Sequence, residues 1–124
     1  MKLDANQQIA IDRACSSERL SIITGGAGTG KTTIIRNIAE QLIRDGEDVS
    51  LAAFAGKAAA RMREATGQDA STIHRLLSWN GDRFMAGDFR NQTIIIDEAS
   101  MVNSSLLAEI IRRKPKRLIL VGDE

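Results

Sequence analysis

Residues Gly25-Gly26-Ala27-Gly28-Thr29-Gly30-Lys31-Thr32 fit the pattern G-x-x-x-x-G-K-[ST] at every fixed position. Such a loop works only between a buried strand and a helix, so it constrains the fold more than any other part of the chain. Both flanks suit it. Leu20-Ser21-Ile22-Ile23-Thr24 reads as a buried strand. Thr33 to Arg44 reads as an amphipathic helix, with Ile34, Ile35, Ile38, Leu42 and Ile43 on one face. The glycines let successive backbone N–H groups turn toward one point, and the new helix adds its positive end there. Lys31 would then reach the β- and γ-phosphates of a nucleotide, and the Thr32 hydroxyl would ligate Mg²⁺. The alternative is a chance glycine-rich turn; the complete pattern with both flanks argues against it.

The rest of the chain continues the strand–helix alternation. Asp4 to Cys15 predicts a helix, with Asp4 as N-cap and Ile9, Ala10 and Ala14 toward a core. Gly46 stops the helix after the loop. Val49 to Ala53 is a second apolar strand. Lys57 to Thr66 is an alanine-rich helix closed by Gly67, and Ala58, Ala59 and Ala60 would let it approach a sheet closely. Ser71 would cap a short helix from Thr72 to Leu77. Thr93 to Asp97 is a third strand. Asn103 would cap a helix to Arg112, with Leu106, Leu107, Ile110 and Ile111 on one face, and Pro115 blocks its continuation. Arg117 to Val121 is a fourth strand. The strands are short apolar runs without clean alternation, which points to a parallel sheet covered on both faces. Trp79 to Gln92 has no helical period, and Asn80-Gly81 suggests a small hairpin there.

Ile94-Ile95-Ile96-Asp97-Glu98 places two carboxylates at the C-terminal end of a buried strand, the edge where ligands of open α/β sheets collect. Asp97 would hold the Mg²⁺ that Thr32 also touches, and Glu98 would orient or deprotonate an attacking water. Alone, an acidic pair after a strand is often only a strand ending in solvent; the glycine loop upstream strengthens the functional reading. Asp123 forms a further acidic strand end that would sense the γ-phosphate through water, or is simply near a chain terminus.

Composition narrows the partners. The chain has 124 residues and a net charge of +1, so any nucleic-acid or membrane contact must be a local patch. One cysteine, Cys15, rules out an intramolecular disulfide and fits a reducing compartment. No apolar run approaches the roughly 20 residues of a membrane span, and the N-terminus lacks a signal-peptide core. The expected location is cytoplasmic, with no membrane partner.

With both nucleotide elements placed, the chain resembles the N-terminal motor domain of superfamily 1 DNA helicases. It looks closest to the RecD-like branch: the exodeoxyribonuclease V alpha subunit, its relatives, and Dda-type phage helicases. Leu3 to Ile11 is similar to the glutamine motif, which implies that Gln7 reads adenine. Gly25 to Thr33 matches the first helicase motif. Ala53-Phe54-Ala55-Gly56-Lys57-Ala58-Ala59 resembles the motif that tracks single-stranded DNA, and Ser71 to Leu77 the T-x-H segment after it. Asp97-Glu98-Ala99-Ser100-Met101 looks like the second motif in its RecD-like form, and Gly122-Asp123 like the start of the third. Phe54 and Ala55 depart from the branch's usual proline and threonine, and Phe54 is more like the branch of the UvrD and Rep helicases. The chain ends inside the third motif, so the resemblance implies a piece of a helicase or a shortened relative. The second motor domain, with its arginine finger, would be missing.

The residues allow other readings beside these. The Gln7 amide can pair with N6 and N7 of adenine, or close a capping box onto Asp4. Phe54 would stack on a base or pack under the next helix. His74 would face DNA or serve as a structural residue bonded to a backbone carbonyl. Trp79, Phe84 and Phe89 would form a satellite core or a base-stacking surface. The basic run Arg112, Arg113, Lys114, Lys116 and Arg117 reads as a solvated helix end favoured by the macrodipole.

These readings converge on one α/β P-loop NTPase domain of RecA-like type over residues 1–124, with a parallel sheet of at least four strands and helices on both faces. By the resemblance, the strand order is Leu20–Thr24, Arg117–Val121, Thr93–Asp97, Val49–Ala53. The expected function is ATP binding and hydrolysis by the motor of a DNA helicase in repair and recombination, with the isolated chain only weakly active. Lys31 and Glu98 are its catalytic residues. Gln7, Gly25, Gly26, Ala27, Gly28, Thr29, Gly30, Lys31, Thr32 and Thr33 bind the nucleotide. Thr32 and Asp97 hold Mg²⁺. Phe54, Lys57, Thr72 and His74 contact single-stranded DNA. Helicase–nuclease subunits are the expected partners. The alternatives are a small P-loop kinase, which would need an acceptor site and an arginine-bearing lid, and a nucleotide-binding piece without catalysis.

Overall fold

Every apolar run named above becomes a strand of one parallel sheet. The computed structural model describes residue 9 and residues 19–25 and 31–123. The elements are β1 (Leu20–Gly25), α1 (Lys31–Arg44), β2 (Asp48–Ala53), α2 (Gly56–Thr66), β3 (Ala70–Thr72), α3 (Ile73–Leu76), β4 (Gln92–Asp97), α4 (Ser104–Arg112) and β5 (Arg117–Asp123). The sheet order is β1-β5-β4-β2-β3, and each neighbouring pair is parallel. The four strands expected from the resemblance stand in the expected order.

Side-chain alternation explains why the strands read as unbroken apolar runs. Ile95, Leu51, Ala53, Ile119 and Val121 face α1 and α2, packing on Ile35, Ile38, Leu42, Ala58 and Met62. Ala52, Ile94, Ile96 and Leu118 face the other side, against Ile73, Leu77, Phe89, Leu106 and Ile110. Both faces of the central strands are therefore dry. Ala58 and Ala59 are buried against the sheet, as their small size suggested.

The caps follow the local chemistry. The Asn103 side chain accepts from Leu106 N–H at 2.9 Å and starts α4. Gly67, at φ 70°, ends α2 in the left-handed conformation that glycine adopts without steric cost.

Several expectations need correction. The sequence reading lacked β3. Ala70-Ser71-Thr72 is too short and polar to announce itself, and its register against Leu51-Ala52-Ala53 makes it a strand. The cap of the following helix is Thr72, whose hydroxyl accepts from Arg75 N–H at 3.2 Å, and not Ser71. Ile43 and Ile111, placed on buried faces, are 38% and 53% exposed, whereas their neighbours Leu42 and Ile110 are fully buried: one residue further round the helix turns the side chain to the rim of the covered face. Ile9, placed toward a core, is 59% exposed; the rest of the Asp4–Cys15 helix lies outside the described residues. The small hairpin expected at Asn80-Gly81 is present: Trp79 and Phe84 form an antiparallel bridge, and the Met85 and Asn80 N–H groups donate to Ser78 O (3.1 Å) and Arg83 O (3.2 Å). The Asn80 side chain closes that turn by accepting from Asp82 and Arg83 N–H, at 2.9 and 2.8 Å.

The basic run is the largest correction, because Arg113 and Arg117 are buried. Arg113 donates to Ala86 O (3.1 Å), Glu109 O (2.7 Å), Glu109 Oε2 (2.8 Å) and Phe84 O (3.4 Å). Its own carbonyl accepts from Phe89 N–H at 2.7 Å. It thereby ties the irregular segment before β4 to the end of α4. Arg113→Met keeps the apolar stem but leaves the Ala86 and Phe84 carbonyls without this donor. The expected loss is about 2–3 kcal/mol in urea unfolding, against little for exposed Lys114→Ala.

Arg117 pairs with Glu47 just before β2, at 2.9 and 2.7 Å to the two carboxylate oxygens, and Lys116 lies 3.2 Å from Oε1. Burial pushes the Glu47 carboxyl upward, but the hydrogen bonds and charges of Arg117 and Lys116 outweigh it and hold the group below its ordinary value. A carboxylate lowered in the folded state stabilises the fold above its unfolded pKa, and that contribution disappears as pH falls through the folded pKa. Glu47→Gln should therefore cost about 3 kcal/mol at neutral pH, since it removes the carboxylate charge that buried Arg117 and nearby Lys116 share. The cost should vanish in strong acid, where the wild-type carboxyl is also protonated. Urea midpoints of the two proteins across pH 2–7 check this.

Candidate nucleotide and nucleic-acid site

In a parallel sheet all strands end on the same edge. The C-terminal ends of β1, β5, β4, β2 and β3 therefore bring Gly25, Asp123, Asp97, Ala53 and Thr72 to one side, with Gly25 in register with Asp123 and Ala53 with both Thr72 and Asp97. Gly26, Ala27, Gly28, Thr29 and Gly30 bridge β1 to α1 and lie outside the described residues, as does Gln7.

Lys31 opens α1, and its Nζ stands 3.3 Å from Asp97 Oδ1, with the two side chains 19% and 16% exposed. Thr32 follows in the same turn, exposed, and Thr33 is half-buried with its carbonyl accepting from Asn37 Nδ2 at 2.8 Å. The first helical residues and the acidic strand end, far apart in sequence, thus share one place. A threonine hydroxyl and a carboxylate are hard-oxygen donors of the kind Mg²⁺ takes when phosphate and water complete the shell. Among the described residues no group of three or more His, Cys, Asp or Glu forms a metal cage, and a phosphate-borne Mg²⁺ requires none.

Glu98 follows Asp97 in the left-handed conformation, at φ 53° and ψ 44°. A glutamate there carries backbone strain of roughly 1–3 kcal/mol. The step is held from both sides. Glu98 N–H donates to Asp97 Oδ1 at 2.8 Å, and Glu98 O accepts from Met101 N–H at 2.9 Å in the short 3₁₀ turn Ala99–Met101. The carboxylate lies 3.6 Å, at Oε1, from Nη2 of Arg61 on α2. Sequence reasoning missed Arg61. The available signal was its place four residues after Lys57 on the same helix face; nothing in the sequence ties it to Glu98.

The four nucleic-acid candidates gather at the ends of adjacent strands β2 and β3. Phe54 follows β2 and is 37% exposed; Lys57 is exposed in the first turn of α2. Thr72 ends β3, with its hydroxyl engaged as a helix cap. His74 is half-buried, its ring 6.1 Å from Trp79 in an edge-on arrangement and 5.9 Å from Phe84. The three aromatics of the irregular segment divide. Phe89 belongs to the core, whereas Trp79 packs at 4.6 Å on Phe84 and stays 44% exposed.

A parallel five-stranded sheet with helices on both faces, and a lysine-led helix meeting an acidic strand end at its ligand edge, defines a P-loop NTPase domain. The chain belongs to the AAA domain family, whose sequence pattern matches residues 7–124. It is similar to the ATP-dependent RecD2 DNA helicase of Deinococcus radiodurans, 36% identical over 124 residues, covering 96% of this chain and 17% of that protein. It is similar also to the RecBCD enzyme subunit RecD of Mycolicibacterium smegmatis, 36% identical over 148 residues, covering 94% of this chain and 27% of that protein. Among solved structures it resembles a Bacteroides sp. Pif1 in complex with ADP-AlF4, with a TM-score of 0.72 and 25% identity over 99% of this chain and 32% of that one. The chain thus spans less than a third of each of the two curated relatives, 27% and 17%. The resemblance to RecD-like superfamily 1 helicases read from the motifs stands. No helix among the described residues is long and apolar enough to cross a membrane.

Proposed function

We propose that residues 1–124 form a single ATP-hydrolysing motor domain of a DNA helicase that works on single-stranded DNA. The observation that carries this reading is the 3.3 Å approach of Lys31 to Asp97. That approach supports reading the lysine of the glycine loop and the carboxylate of the second motif as two halves of one phosphate site. In this reading the loop amides of Gly25 to Gly30 and Lys31 bind the phosphates, Thr33 supports the loop's far end, and Gln7 recognises adenine. Thr32 and Asp97 hold Mg²⁺, which when bound neutralises phosphate charge. Lys31 leaves Asp97 for the β/γ-phosphates as nucleotide enters, because phosphate is the more highly charged partner. Glu98 orients the attacking water and accepts its proton. Phe54, Lys57, Thr72 and His74 line the strand. The RecD relative is named a subunit of RecBCD, which supports helicase–nuclease subunits as partners.

Calorimetric titration with Mg-ATP, Mg-GTP and Mg-CTP, paired with phosphate release with and without oligo(dT), tests the reading. ATP should bind most tightly, and phosphate should be released from it. No heat with any nucleotide would overturn the assignment. Binding without phosphate release would leave a nucleotide-binding domain without catalysis.

A further inference from the structure

We propose that Arg61 is a positioning residue shared between two anions: it holds Glu98 while no strand is bound, and passes to a backbone phosphate when one is. This rests on the single-stranded DNA reading above. α2 buries Ala58, Ala59, Met62 and Thr66, so Lys57 and Arg61, four residues apart, run along its outer face. That stripe starts three residues after Phe54 and leads to Glu98. The guanidinium is 75% exposed and meets Glu98 through one nitrogen at 3.6 Å, whereas Glu98 is 31% exposed. Among the described residues Arg61 has no other hydrogen-bond or ion-pair partner.

An exposed single-contact pair is weak, shifting an equilibrium by about fivefold at most. It is therefore easily exchanged for a phosphate oxygen brought alongside Lys57. The backbone of Glu98, by contrast, is fixed by its left-handed turn, so the exchange frees the carboxylate without moving the chain that carries it. Strand binding and the release of Glu98 become linked, and linkage is reciprocal. Removing the negative charge at position 98 must then favour the strand, and only through Arg61.

The test needs no turnover. Anisotropy of labelled oligo(dT) is measured on the full chain at several salt concentrations for wild type, Glu98→Gln, Arg61→Ala and the double variant. Circular dichroism confirms that each is folded. Glu98→Gln should tighten binding about two- to fivefold. Arg61→Ala should weaken binding and reduce the salt slope by about one phosphate contact. In the double variant, Glu98→Gln should change nothing further. Binding by wild type with no effect of Glu98→Gln would overturn the role of Arg61 alone. A tightening that persists without Arg61 would do the same, since Glu98 would then repel the strand directly. An absence of wild-type binding would overturn the single-strand reading and this proposal together. Arg61→Gln, which retains the aliphatic stem, separates loss of the cation from loss of packing.

Discussion

Lys31→Ala should lower ATP affinity by about a hundredfold or more while leaving the fold intact. A hydrogen bond to a charged group contributes roughly 1.5–3 kcal/mol, and this ammonium is placed to serve two phosphates. The geometry supports the size of the effect. Lys31 is the first residue of α1, so its backbone already stands at the helix's positive end, and its side chain is only 19% exposed beside Asp97. Among the described residues no other cation is paired with Asp97: Arg61, on α2, is engaged at Glu98. Without nucleotide, the variant leaves Asp97 lacking this partner, so thermal denaturation of the empty proteins is compared first. Calorimetry then decides. Equal ATP affinity in the variant and wild type would show that the lysine and the acidic strand end are only a structural ion pair.

Glu98→Gln should have the opposite profile. Removal of a general base typically costs 10²–10⁴ in rate, whereas nucleotide binding needs only the loop, Lys31 and the metal ligands. The amide keeps the length and shape of the side chain, and the left-handed backbone and its two hydrogen bonds do not depend on the carboxylate. The expected result is near-normal ATP affinity with phosphate release reduced at least about a hundredfold. Single-turnover phosphate release beside calorimetry separates the two quantities. Release at the wild-type rate would remove Glu98 from the chemistry, and a parallel loss of affinity would place it among the binding groups.

Patterns local to a few residues were legible without a structure. The Asn103 cap, the Gly46 and Gly67 helix ends and the apolar strand runs each depend on backbone geometry within one turn or one strand. Apart from the cap that falls on Thr72 and not on its neighbour Ser71, the misreadings involve distance. Ile43 and Ile111 have the helical period of buried residues, but period says which face points inward and not how wide the covered stripe is, and both lie at its rim beside fully buried Leu42 and Ile110. Ala70-Ser71-Thr72 becomes a strand only because β2 offers it a free edge. Arg113 and Arg117 belong to a run of charges that would normally be solvated. Each is buried because acceptors from elsewhere reach it: Glu47 across the sheet for Arg117, and the carbonyls of Phe84 and Ala86 for Arg113.

The sequence by itself determined the class of fold, the order of its elements and the residue types able to bind phosphate and metal, because each is encoded in spacing along a short stretch. Tertiary structure alone decided which of those residues meet. The parallel sheet brings every strand's C-terminal end to one edge, so Lys31 reaches Asp97 and α2 carries Arg61 to Glu98. Neither pair is adjacent in the chain, and neither contact is a property of local conformation. Both arise from strand order and register, which are set by how the whole apolar core is buried.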